Sequence, residues 1–120
     1  MAFALTEQEE QEARLVQAQL QQLISTHLSD TSCLFLPTTP TSAPKIGEDI
    51  SALRMQLINL SAVAGLTGSA QVHLPLTVMP VEINKQPVPY GFSLMMRSGQ
   101  DKSLLALVNR LSQHSAWKHI

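Results

Sequence analysis

Hydrophobic and polar residues alternate most regularly between residues 61 and 97, and this stretch sets the frame for the rest of the chain. Ala70, Val72, Leu74 and Leu76 fall on one face of an extended segment, with Gln71, His73 and Pro75 on the other. The cause is the two-residue period of strand side chains. Phe92, Leu94 and Met96 share one face of a second segment, opposite Gly91, Ser93 and Met95. Each strand therefore has a greasy side for helices and a smaller, partly polar side. Two strands are not stable alone, so covering helices and more sheet are required.

Helical spacing supplies three such covers. Residues 5–29 predict a helix opened by a capping box, Thr6 with Glu9 three positions on, a pairing that satisfies two orphaned backbone donors. Val16, Leu20, Leu23, Ile24 and Leu28 form its apolar stripe, and Glu10 precedes Arg14 by the favourable four residues. Its glutamines (Gln11, Gln17, Gln19, Gln21, Gln22) read as a solvated face rather than an oligomerisation element. A second helix, capped by Asp49, carries Ile50, Leu53, Leu57, Leu60 and Ala64, broadened by Met55, Ile58 and Val63. It reads as mostly buried, ends near Gly65, and leaves Gly68 for the sharp entry into the first strand. After Gly99, Asp101 caps a last helix with Leu104, Leu107, Val108 and Leu111 inward, and residues 113–120 carry no period and fray.

Between the first two helices, Cys33 to Leu36 is wholly apolar and stops at Pro37, which suits a strand buried on both faces. The prolines that follow make residues 37–48 a rigid, irregular crossing. Thr38 and Thr39 are its first polar residues at a strand end, where ligand sites often lie. Ordinary turn hydrogen bonding is the competing account. Between the paired strands, residues 79–89 read as an exposed connection with Asn84 and Lys85 at its tip. The resulting order is α-β-α-β-β-α in a single partial α/β domain spanning 1–120, without internal repeat.

Several of these segments resemble, in order, the C-terminal end of the amidase signature family of hydrolases. The residues concerned are L-F-L-P-T-T-P-T-S-A-P (Leu34 to Pro44), A-G-L-T-G-S-A-Q-V-H-L-P-L (Ala64 to Leu76) and P-V-P-Y-G-F-S-L-M-M-R-S-G-Q-D-K-S-L-L-A-L (Pro87 to Leu107). The resemblance runs over roughly residues 30–112. It implies a mixed sheet with covering helices, and hydrolysis of carboxamide C–N bonds by a lysine, a serine in a cis peptide and a nucleophilic serine. In the family those residues lie upstream of the matched part, the two serines in a G-G-S-S-G-type loop. No G-G-S-S or S-S occurs in these 120 residues. Lys45, Lys85 and Lys102 match nothing catalytic, so no catalytic residue carries over.

Composition sharpens this picture. Apolar residues make up 44% of the chain, enough for a core. Charged residues make up only 14%, against about a quarter in ordinary domains. That shortfall suits a segment lying against something else, either the remainder of an amidase core or another copy of itself. A net charge of −1 gives no basic footprint for nucleic acid or a membrane surface. Cys33 reads as a small buried hydrophobe, not a reactive thiol. The N-terminus is not a signal peptide and no apolar run approaches spanning length, so the chain reads as cytoplasmic.

Other chemistries find little support. His73 is the strand-borne imidazole, with Ser61, Ser69 and Ser93 as possible neighbours, but no acid is placed to orient it and no G-x-S-x-G elbow exists. A half-buried structural histidine is the expected role. His114 and His119 lack companions at ligand spacing, and the glycines match no phosphate-binding loop. Met55, Met79, Met95 and Met96 read as core filling. No catalytic, cofactor-binding or metal residue is assigned and no cofactor is expected. Two function classes therefore stand: a catalytically incomplete amidase segment, truncated or degenerate, and an interaction module that oligomerises or docks on a separately encoded partner.

Overall fold

A computed structural model describes residues 4–83 and 86–114, with side chains described outside residues 76–89. The elements run α1 (Glu7–His27), β1 (Leu34–Pro37), α2 (Ser51–Thr67), β2 (Ala70–Ile83), β3 (Gln86–Met96) and α3 (Asp101–Ser112). The sheet has the order β1-β3-β2, and both pairings are antiparallel. The expectation of a mixed sheet is thus corrected among the described residues. β3, late in the sequence, takes the central place and gives β1 and β2 an edge each.

The period-two reading of the strands holds. Ala70, Leu74, Phe92, Leu94 and Met96 form one buried cluster with Leu104 of α3, and Val72, Leu107, Val108 and Leu111 pack around it. On the opposite face, Met95 is 0% exposed. It lies in a second cluster with Leu28 and Ala64, joined by Ile24, Leu36 and Val63. α3 thus covers one side of the sheet, and the α1–α2 pair covers the other. Burying a side chain of Leu or Met size contributes about 1.5–3 kcal/mol, so these two small clusters hold the three layers together.

Local chemistry explains where the helices start and stop. Glu9 N–H donates to Thr6 Oγ1 (3.2 Å) and Thr6 N–H donates to Glu9 Oε2 (2.8 Å), which completes the capping box. Those bonds from Thr6 hold the Glu9 carboxyl below its ordinary value, the backbone bond contributing most. At α2, Ile50 occupies the cap position, and Asp49 Oδ1 accepts from Ser51 Oγ (2.6 Å) and Ser51 N–H (3.0 Å). The same two bonds lower the Asp49 carboxyl. α2 runs through Gly65 to Thr67, two residues past its expected end, and stops at Gly68 in the left-handed region (φ 67°). Gly68 and Ser69 N–H both donate to the Ala64 carbonyl, a closure that favours glycine there.

The expected Asp101 cap does not form, since Gln100 holds the cap position of α3 without a side-chain bond, and His73, expected half-buried, is exposed. Four further expectations are overturned. α2 is not mostly buried: only Ala64 and Thr67 are buried, whereas Met55 is 60% exposed and Ile58 and Leu66 stand open. Its apolar residues run round the helix, and the single sheet face beside it covers one stripe. β1 is an edge strand, not one covered on both faces. Phe35 is 65% exposed although its ring meets that of Phe92 at 4.5 Å. Cys33, just outside this edge, is exposed, and partial desolvation pushes its thiol above the ordinary value against a weaker lowering by a Met95 backbone bond. Finally, most of residues 79–89 belong to the ladder, which reaches Ile83↔Gln86 with irregularities between Leu76, Met79 and Glu82. Asn84, Lys85, His119 and the last part of the expected frayed tail lie outside the described residues, as does the side chain of Met79.

Candidate functional site

The smaller face of the sheet places the chain's polar residues together at one end. His73 pairs with Ser93 across β2 and β3, and Leu36 pairs with Ser93 across β1 and β3. Residues two apart share a face, so Thr38, just past β1, arrives on the side that carries Ser93 and His73. Thr38 Oγ1 lies 2.6 Å from His73 Nδ1 and 2.7 Å from Ser93 Oγ. Gly91 makes the arrangement possible. A Cβ there would stand 2.6 Å from the Leu74 carbonyl oxygen and 2.7 Å from His73 Nε2.

The loop after β1 closes over this corner. Tyr90 OH donates to the Thr39 carbonyl (2.9 Å), and Thr39 Oγ1 donates to the Thr41 carbonyl (2.8 Å). Thr39, Ala43, His73, Pro75 and Tyr90 line a depression of about 260 Å³. It is apolar along Ala43, Pro75 and the Tyr90 ring, with the His73 imidazole as a polar group on its wall. Thr39 makes a turn bond and borders this depression, while Thr38 does not line it and makes no turn bond among the described residues, its hydroxyl going to His73 and Ser93 instead. A larger hollow of about 420 Å³ lies between residues 41–45 and the start of α2, where Lys45, Glu48 and Asp49 mix charges over Pro44 and Leu53.

Chemically, the Thr38–His73–Ser93 cluster is not a hydrolytic triad. Ser93 is 0% exposed and cannot meet a substrate. Among the described residues no acid orients the imidazole, and no three His, Cys, Asp or Glu side chains stand close enough to share a metal. Ser69 bonds Thr67 at the α2–β2 corner (2.6 Å) and Ser61 is exposed on α2. Lys102 is exposed at the start of α3, and Lys85 lies outside the described residues. Sequence reasoning offered Ser61, Ser69 and Ser93 as possible neighbours of His73; of these Ser93 stands opposite it, and Thr38 as their link was missed, because that contact depends on the β1–β3 register. The glutamine face of α1 is largely exposed, as read, but Gln17 and Gln21 also donate to the Leu66 carbonyl (3.0 and 3.3 Å), a tie to α2 that the helical period does not show.

Comparison with known proteins gives a consistent set of relatives. The chain is 32% identical over 101 residues to Amidase 1 of Oryza sativa subsp. japonica, covering 82% of this chain and 22% of that protein. It is 31% identical over 102 residues to Amidase 1 of Arabidopsis thaliana, covering 82% and 23%. It is 30% identical over 107 residues to a glutamyl-tRNA(Gln) amidotransferase subunit of Legionella pneumophila, covering 88% and 21%. The chain thus spans between a fifth and a quarter of the length of these relatives. No family model matches it. No solved structure matches it. Among the described residues, no helix is long and apolar enough to cross a membrane.

Proposed function

The chain is amidase-like over the matched residues, and from that premise we propose that it is the C-terminal segment of a hydrolase of carboxamide C–N bonds. In this reading the segment completes the sheet and walls the substrate side of a catalytic core, in a cytoplasmic setting. The nucleophilic serine, the cis-peptide serine and the lysine belong to that core, and the 120 residues turn over no amide by themselves. The observation that carries the reading is the relatedness to two named amidases over four-fifths of the chain. The uncovered side of α2 and the open edge of β1 support it, since both are surfaces a core would bury.

The test is direct. The purified chain is assayed against simple aryl and aliphatic amides, with expected turnover indistinguishable from buffer. Turnover abolished by replacing one of its serines would overturn the incomplete-core reading. A second reading, an interaction module that docks on a separately encoded partner or on itself, is favoured by the same exposed apolar residues, Leu15, Val16, Met55 and Ile58. It separates from the first by whether a G-G-S-S-G loop and lysine are encoded in frame upstream.

A further inference from the structure

The proton arrangement in the Thr38 cluster has a direction. Each hydroxyl has one proton to donate and two lone pairs to accept with. Thr38 Oγ1 sits between two partners, Ser93 Oγ and His73 Nδ1. In one arrangement Ser93 donates to Thr38, Thr38 donates to Nδ1, and the neutral ring carries its proton on Nε2. In the reverse arrangement Nδ1–H donates to Thr38 and Thr38 donates to Ser93, which leaves the Ser93 hydroxyl proton without an acceptor; in a third, Thr38 accepts from both Ser93 and Nδ1–H, which leaves the proton of the part-buried Thr38 hydroxyl without an acceptor among the described residues. Ser93 is 0% exposed and its described hydrogen bond is the one to Thr38. Burial of an unmatched donor is the more costly outcome, so the first arrangement is preferred.

We propose that Ser93 and Thr38 are positioning residues that lock His73 as the Nε2–H tautomer. With Nδ1 committed, Nε2–H is the ring donor left for a ligand in the depression formed with Thr39, Ala43, Pro75 and Tyr90. A hydrogen-bond donor beside the apolar Pro75 and the Tyr90 ring suits the carbonyl oxygen of a small carboxamide. The choice of a carboxamide rests on the amidase reading; the tautomer lock does not. Gly91 serves the same end, because the bare backbone there gives the ring its place.

Long-range proton–nitrogen NMR correlations of the imidazoles of the full chain test this above the ordinary histidine titration range. The wild type and Thr38→Ser, which keeps the hydroxyl, are expected to show His73 as Nε2–H alone. Thr38→Val and Ser93→Ala are expected to show an appreciable Nδ1–H fraction, with amide spectra reporting that each variant is folded. A wild type in the Nδ1–H form, or one tautomer mixture shared by all four proteins, overturns the lock. Titration with benzamide then tests the ligand. A saturable shift at His73 and Tyr90, lost in His73→Ala, supports a carboxamide seat, and an unchanged spectrum overturns that half. The hydrolysis assay does not report on His73, so the lock and the amidase reading fail separately.

Discussion

Replacing Gly91 by alanine puts the packing of the hairpin to a test in which even the sign is informative. Gly91 does not need a left-handed backbone, so alanine there should by chain entropy stabilise a strand by roughly 0.5–1 kcal/mol. The structure argues the opposite. The added methyl would stand 2.6 Å from the Leu74 carbonyl oxygen and 2.7 Å from His73 Nε2, with His73 Cε1 closer still. The imidazole can swing away only by giving up Thr38, and the carbonyl is fixed in the β2 backbone opposite. Overpacking costs about 1–3 kcal/mol. With two obstacles, one of them backbone, the upper part of that range applies, and a net loss of about 2 kcal/mol is expected after the entropic gain is set against it. Urea denaturation reads this directly. Repeating Gly91→Ala in a His73→Ala background separates the obstacles, because only the ring contact disappears. The penalty should fall there by about 1 kcal/mol, a coupling of the size expected between touching residues. A neutral or stabilising Gly91→Ala in the wild-type background would refute the close approach, and with it the placement of His73 over β3.

Three further outcomes follow. Leu74→Ala should cost ~2–5 kcal/mol by opening a cavity under α3; Gly68→Ala should cost only about 1–2 kcal/mol, since it adds left-handed strain while its Cβ would make an ordinary 3.7 Å contact with Ser98 Oγ. Urea midpoints check the order, and an equal cost would mean that the corner is tighter than it stands here. Lowering the pH should destabilise the chain through Glu9 and Asp49: their carboxyls lie below their ordinary values when folded, so that stability is present above the unfolded value and lost as pH falls through the folded one. Urea titrations between neutral and acidic pH should show this dependence weaken in a Thr6→Ala, Asp49→Ala double variant. Light scattering should find the chain associated at tens of micromolar, roughly the range where exposed apolar surfaces meet, and a monodisperse monomer would count against the reading of α2 as a contact face.

What was legible in the sequence tracks how local the deciding contact is. The stripe Leu104, Leu107, Val108 and Leu111 and the faces of β2 and β3 are fixed by helical and strand periods, and they pack as those periods require. The capping box needs only residues three apart, and it forms. α2 misled because its apolar residues surround the helix: periodicity states what could be buried, and the number of neighbouring layers decides what is. For Cys33 to Leu36, an apolar run alone does not distinguish a central strand from an edge. The bonds among Thr38, His73 and Ser93 depended on a register between distant segments that no local pattern contains. The relationship to amidases, by contrast, was visible because several short patterns recur in one order, and the relatives bear it out.

The place of β3 between β1 and β2 governs when the sheet can be made. β2 and β3 are neighbours in sequence and can pair as soon as both have emerged, whereas Leu34 must wait for Met95, far along the chain. During synthesis β1 and the α1–α2 pair therefore leave the ribosome before β3 is there to receive them. Long-range pairing of this kind is slow, and the exposed segments are prone to stray association while they wait. Leu34, Phe35 and the open side of α2 would be the surfaces a chaperone meets first, and co-translational capture should cease once β3 has emerged.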